Sequence, residues 1–109
     1  MAAQYIDDVW AVTRLIPPGR VSTYGAIADF LTLGSARMVG WALFQSVSGP
    51  DNDVPAHRVV NRRGELSGRN HFRPPTLMQE RLEAEGVAVR DDAVVDFDRL
   101  FWSPTVLLS

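Results

Sequence analysis

The chain has 109 residues, 46% hydrophobic and 22% charged, with no cysteine and a formal net charge of −2. One domain of this size buries roughly two-thirds of its unfolded surface, and the lack of cysteine excludes disulfide frameworks, thiolate metal sites and a cysteine nucleophile. No apolar run approaches the roughly 20 residues of a membrane helix and no signal-peptide pattern opens the chain, so a soluble cytoplasmic protein without membrane partners is expected.

Ile6, Val9, Trp10, Thr13 and Ile16 recur at helical spacing, which predicts an amphipathic helix from about Ala3 to Ile16. Pro17, Pro18 and Gly19 end it, because proline lacks an amide donor and restricts the residue before it. Ser22 or Thr23 then caps a second helix running through Leu31, with Ile27 and Leu31 facing inward. After a turn at Thr32-Leu33-Gly34, Ser35 caps a third helix to about Val47. It carries Val39, Leu43 and Phe44 on one side, together with the small residues Ala36, Gly40 and Ala42. Two short helices joined by a tight turn, over about residues 22–47, read as a helix-turn-helix.

Ser48 to Asp53 is polar and reads as a loop. Val59-Val60, the turn Arg62-Arg63-Gly64 and Leu66 predict a small hairpin or wing. Pro74-Pro75 stops that region, and Thr76 caps a helix through Glu85 with Gly86 as its C-terminal stop. Val87 and Val89 alternate with smaller or polar residues, and Val94 to Phe97 can pair back across Asp91-Asp92. The predicted fold is α+β and helix-rich: a single winged helix-turn-helix DNA-binding domain over residues 1–109.

All 11 basic residues are arginine. Five of them, Arg58, Arg62, Arg63, Arg69 and Arg73, fall in one stretch opposed only by Glu65, while the acids concentrate from Glu80 onward. A mildly acidic chain with such a stretch can bind a polyanion on one face; the preference for arginine is equally open to a bias in genome composition. His57 and His71 are the only histidines, and no metal-ligand or phosphate-cradling motif accompanies them. No metal and no cofactor are expected.

The segment Pro55-Ala56-His57-Arg58-Val59-Val60-Asn61 resembles the active-site strip of the O6-alkylguanine-DNA alkyltransferases, in which the residue between proline and histidine is the alkyl-accepting cysteine. Ile16-Pro17-Pro18-Gly19-Arg20-Val21-Ser22-Thr23-Tyr24-Gly25 resembles the family's entry into its helix-turn-helix. Ser35-Ala36-Arg37-Met38-Val39-Gly40 is similar to the start of its recognition helix, and Leu82-Glu83-Ala84-Glu85-Gly86-Val87 to its closing helix. With Ala56 at the acceptor position, the match is to the cysteine-less branch, the alkyltransferase-like proteins.

That resemblance implies a lesion sensor without transfer chemistry. Dealkylation needs a thiolate-like nucleophile, and the methyl group of Ala56 cannot accept an alkyl group. His57 and Glu85 match the enzymes' base and its orienting carboxylate; without a nucleophile their expected role is structural, a buried histidine held by a carboxylate. By resemblance, Arg37 is a finger inserted through the minor groove in place of a flipped nucleotide, and Tyr24 presses on the adjacent phosphate. Ser35, Ala36 and Gly40 accompany them, with Arg69 and Arg73 as further contacts to DNA. The lesion pocket is expected from Leu43, Pro55, Ala56, His57, Val59, Arg69 and Asn70, under a lid at about residues 68–75. Asn52 stands near the family's hinge asparagine. The implied partners are double-stranded DNA carrying O6-alkylguanine and the damage-recognition proteins of nucleotide excision repair, bound by a monomer. A winged-helix transcription regulator and a hydrolase using His57 and Glu85 are the alternative readings.

Overall fold

A computed structural model describes residues 2–48 and 53–108. The first helix, α1 (Ala2–Thr13), ends three residues before the predicted limit. Its last turns tighten ahead of the prolines: Leu15 and Ile16 donate to carbonyls three residues back, at Val12 and Thr13. Thr13 stays buried because its hydroxyl donates to the Val9 carbonyl at 2.7 Å. Gly19 takes φ +85° in the turn that follows, a conformation that costs glycine little.

Val21 starts the central extended segment. Its amide donates to Leu100 and its carbonyl accepts from Trp102, and β1 (Ser22–Thr23) continues from it. Thr23 is the cap of α2 (Tyr24–Phe30): its hydroxyl accepts the Ala26 amide at 3.0 Å, satisfying one of the free first-turn donors. At the other end of α2 the amides of Thr32 and Leu33 return to Asp29 and Ala28, a Schellman closure. The left-handed residue in it is Thr32 at φ 54°, not Gly34. The third helix, α3, spans Ala36–Ser48 and packs on α1 and α2; the Trp10 indole donates to the Ala42 carbonyl at 2.8 Å. The predicted loop from Ser48 lies largely outside the described residues, and Asn52 with it.

A 3-10 turn at Ala56–Arg58 leads into β2 (Val59–Val60). Here the structure corrects the predicted hairpin. β2 runs parallel to β1, pairing Ser22 with Val59 and Thr23 with Val60, instead of folding back on Leu66. Both strands are buried, and pairing side by side satisfies backbone donors and acceptors that no water reaches there. The turn that was foreseen does form. Asn61 caps it, its side-chain oxygen accepting the amides of Arg63 and Glu65, and Gly64 takes φ +80° against Phe97.

A second 3-10 turn, Arg69–His71, precedes α4 (Leu77–Ala84). Thr76 does not cap α4: its backbone is already helical, and no side-chain cap bond is made. Gly86 does end the helix, at φ +87°, with the amides of Gly86 and Val87 returning to Glu83 and Leu82. The predicted reversal at Asp91-Asp92 is also present. β3 (Val89–Arg90) and β4 (Ala93–Val94) are antiparallel across it, with Asp91 and Asp92 at φ 52° and 59°, the two-residue hairpin geometry that aspartate tolerates. The short α5 (Phe97–Leu100) and a 3-10 turn at Pro104–Leu108 close the chain. Arg20 ties this end back, donating to the carbonyls of Leu100 and Phe101.

The core is a single cluster around Val9, Ile16, Ile27, Val39, Val60 and Leu82. Trp102 belongs to it, whereas Val106, Leu107 and Leu108 remain exposed. No helix among the described residues is long and apolar enough to cross a membrane.

Candidate nucleic-acid interface

Helix α3 divides by period. Val39, Ala42, Leu43 and Ser46 are buried against the core. Ala36, Arg37, Gly40, Trp41 and Phe44 stand on the opposite stripe, linked by the three- and four-residue steps that share a helix face. Facing that stripe are Ser67, Gly68 and His71, with Tyr24 from α2 at its side, and between them lies an open cavity of about 470 Å³. This lies within the size range of small-ligand sites.

Its walls are aromatic. The rings of Phe44 and His71 lie 4.5 Å apart and those of Trp41 and Phe44 5.9 Å apart, both tilted. Trp41 is 55% exposed, unusual for so large an apolar side chain and hard to explain by packing. Gly40 brings the helix close to Tyr24: a β-carbon there would sit 4.0 Å from the tyrosine ring. At Gly68 one would sit 2.7 Å from the Tyr24 hydroxyl, so only glycine fits without displacing it. Burial pushes the Tyr24 phenol above its ordinary value, against the opposing pull of a hydrogen bond with Ser67, and the group is neutral.

The cavity narrows inward to a recess of about 20 Å³ that reaches Leu43, Ala56, Phe72 and Met78. The methyl of Ala56 thus lies at the inner end. On the other side of Tyr24 and Ala36 a groove of about 380 Å³ runs past Asn61, Arg62, Arg63 and Glu65. Arg37, Arg62 and Arg63 therefore flank one continuous surface, and none is in an ion pair among the described residues.

Of the residues expected at the site, Tyr24, Ala36, Arg37 and Gly40 converge at the mouth, and Leu43 and Ala56 at the recess. Ser35 precedes α3, exposed, its carbonyl accepting the Met38 amide. Pro55, His57 and Val59 lie behind the wall, with the Ala56 and Val59 amides already donating to Val54 and Ala56 carbonyls. Arg69 does not enter the cavity. Its guanidinium donates to the Leu66 carbonyl at 3.0 Å and approaches Asp92 at 3.7 Å, so nearby acceptors on the hairpin side hold it outside. Asn70 is exposed and outside the lining, and Arg73 lies in a different chamber, beside Arg81. Gly68 and His71 come from the stretch expected as a lid, whereas Trp41, Phe44 and Ser67 were missed as lining. The signal was available for two of them, since Trp41 and Phe44 stand four and seven residues after Arg37.

Behind the recess, His57, Arg58 and Glu85 form a closed cluster. His57 Nε2 is 2.9 Å from Glu85 Oε2, and Arg58 donates to both oxygens of the same carboxylate, at 2.7 to 3.2 Å. Arg58 also donates to the Ile16 carbonyl at 2.8 Å. Burial acting alone would raise the Glu85 pKa, but the hydrogen bonds and charge of Arg58 and His57 bring it down to about 2. Burial lowers that of His57, outweighing the opposing carboxylate, so the imidazole is neutral. Its Nδ1 is buried without a hydrogen-bond partner among the described residues. Sequence reasoning paired His57 with Glu85 and gave no role in the pair to Arg58, although it stands next to His57 in the same strip.

Residues 4–87 match the family model for the DNA-binding domain of 6-O-methylguanine DNA methyltransferase. The chain belongs to this alkyltransferase family. Alkyltransferase-like protein 1 of Schizosaccharomyces pombe is 37% identical over 106 residues, covering 93% of this chain and 96% of that protein. A DNA base-flipping protein of Vibrio parahaemolyticus is 36% identical over 104 residues, covering 93% and 98%. Among solved structures, the S. pombe Atl1 protein in complex with damaged DNA containing O6-carboxymethylguanine superposes with a TM-score of 0.80 at 33% identity, over 93% of this chain and 96% of that one. The helix-rich α+β fold and its helix-turn-helix are thus those of the family.

Proposed function

We propose that this protein is a non-enzymatic sensor of O6-alkylguanine in duplex DNA. The observation that carries the reading is an open, aromatic-walled cavity beside an unpaired arginine, ending at Ala56 where a transferase needs a nucleophile. The helix-turn-helix lies against the minor groove, Arg37 replaces the displaced nucleotide in the stack, and the lesion swings out into the cavity between Tyr24 and the aromatic wall. Unstacking and unpairing cost a few kcal/mol, least for a damaged base. Contacts to bases flipped onto aromatic faces offset that cost. Arg62 and Arg63 follow the backbone along the neighbouring groove and make binding strongly salt-dependent.

No alkyl group is transferred, because a methyl side chain has no lone pair to attack with. His57, which in a transferase would act as base, instead braces the floor through Glu85 and Arg58. A bound lesion is therefore held, not repaired, and is passed by a monomer to the damage-recognition proteins of nucleotide excision repair. The relatives named for base flipping, and the one solved with damaged DNA, support this reading.

Titration into matched duplexes with and without one O6-methylguanine tests it, for wild type and Arg37→Ala, with the alkyl group followed in the same samples. The expected result is tighter binding to the lesion, weakened roughly thirtyfold by Arg37→Ala, with the alkyl group still on DNA. Equal affinity for the two duplexes would instead favour a sequence-reading regulator, and alkyl loss would sink the non-enzymatic assignment.

A further inference from the structure

A carboxylate stands on the surface assigned to DNA. The groove beside Tyr24 and Ala36 is lined by Arg62 and Arg63, which suit phosphate, but also by Glu65, which does not. Glu65 pairs with neither arginine, nor with any other cation among the described residues. Asn61 holds its side chain instead, donating from Nδ2 to Glu65 Oε1 at 2.8 Å. The oxygen of the same Asn61 amide fixes the turn, accepting the backbone amides of Arg63 and Glu65 at 2.9 Å each. The Glu65 carbonyl accepts the Asn61 backbone amide at 3.1 Å, and a bridge to Ala93 ties the turn to the β3–β4 hairpin. An exposed glutamate ordinarily samples many rotamers; this one is oriented by a single neighbour through one oxygen, which leaves the other to accept from outside.

An anion held against a polyanion weakens binding unless it receives a donor. The minor-groove edge of a base pair offers one, the N2 amino group of guanine, whereas A·T pairs show only acceptors there. We infer, on the lesion reading above, that Glu65 is a specificity-determining residue: it accepts from the N2 amino group of a guanine flanking the lesion. The groove begins at Ala36, the residue before Arg37, so that guanine belongs to a pair close to the vacated position. Arg62 and Arg63 supply attraction to any sequence, and Glu65 makes it selective. Beside a pair without the amino group, its carboxylate meets another acceptor, and the contact is penalised instead of gained.

Four lesion duplexes separate that amino group from the rest of the base pair. The pairs on both sides of one O6-methylguanine are all G·C, all inosine·C, all A·T or all 2,6-diaminopurine·T; the first and last carry the N2 amine and the other two lack it. Affinities are measured by fluorescence anisotropy for wild type and Glu65→Ala, beside a G·C duplex with guanine in place of the lesion. Wild type is expected to bind the two amine-bearing duplexes about tenfold more tightly than the two without, and Glu65→Ala to close that gap from both sides. Easier unpairing beside inosine·C and A·T works in the opposite direction, so it cannot mimic the result. Equal wild-type affinity for all four, with the lesion still preferred over guanine, overturns the role of Glu65 and leaves the lesion reading standing. A gap that persists in Glu65→Ala also overturns it, by assigning the preference to groove width and the carboxylate to repulsion of phosphate. Loss of any wild-type preference for O6-methylguanine over guanine removes the lesion reading, and the role of Glu65 with it.

Discussion

Two groups of arginines sit within one small domain and are treated in opposite ways. Arg58 is largely buried and gives all of its directional bonding to Glu85 and the Ile16 carbonyl. Arg37, on the open stripe of α3, has no such partner among the described residues. The first arrangement is closed: each charge is neutralised by a neighbour, and nothing is left to bind a ligand. The second is open, with donors and aromatic faces directed at space. The two histidines divide in the same way. His57 is locked against a carboxylate behind the recess, whereas His71 lines the cavity with its ring tilted against Phe44. The residues that match a transferase's base and its carboxylate are bonded to one another here, and the proposed recognition falls to side chains that the framework leaves unpaired.

The contrast can be broken most directly at Glu85. Glu85→Gln leaves Arg58 buried with a neutral partner and should lower unfolding free energy by about 3 kcal/mol, while the folded protein keeps its lesion affinity. Urea denaturation beside a binding titration reads both; unchanged stability would mean that the cluster does not brace the floor of the recess. Acid should act on the same cluster, with an effect of about 2 kcal/mol. Glu85 falls from an ordinary value of 4.5 to about 2 on folding, so its stabilisation is present above about pH 5 and is lost as pH falls toward 2. His57, also lowered from its ordinary value of 6.5, works in the same direction: below that value the unfolded chain takes up the proton more readily. A stability profile from pH 7 to 3 should therefore decline, and the decline should shrink in Glu85→Gln.

On the open side the effects on stability are smaller. Gly68→Ala places a methyl against the Tyr24 hydroxyl and should cost about 1 kcal/mol, or shift the tyrosine and weaken lesion binding instead. Thermal melts and titrations of this variant show which neighbour gives way. Trp41→Ala sharpens the comparison furthest. Stability should move by no more than about 0.5 kcal/mol, because the side chain is half exposed, yet affinity for the lesion duplex should fall roughly fivefold, because an aromatic face is lost. A large loss of stability with affinity retained would place Trp41 with the framework.

Much of the fold was legible because its signals are local. The Thr23 cap, the double proline after Ile16, the glycine stop at Gly86 and the aspartate pair at the β3–β4 turn each act within a few residues, and each appears where the pattern put it. Thr32 rather than Gly34 took the left-handed position because helix closure demands it two residues past the end of α2, just after the cap Leu31, whatever stands there. The β1–β2 pairing was not legible. Two residue pairs, the polar Ser22–Thr23 and the apolar Val59–Val60, carry no mark of which partner or direction each will choose. The site divides similarly: Arg37 and Gly40 were found from the strip that resembles the recognition helix and Tyr24 from the strip that enters the helix-turn-helix, while Arg69 was expected inside and lies outside.

The sequence by itself determined the order of the helices, the Thr23 cap and the Gly86 stop, the core position of Val39 and Leu43 on α3, and that the position between Pro55 and His57 holds no nucleophile. Those are properties of neighbouring residues and of side-chain chemistry, which no later packing can change. Only the tertiary structure decided that Arg58 joins Glu85, that Arg69 turns to Leu66 and Asp92, and that Ala56 stands between a cavity and an arginine-lined chamber. A guanidinium can satisfy itself with any carboxylate or carbonyl within reach, and which of these comes within reach depends on segments that meet only when the core closes.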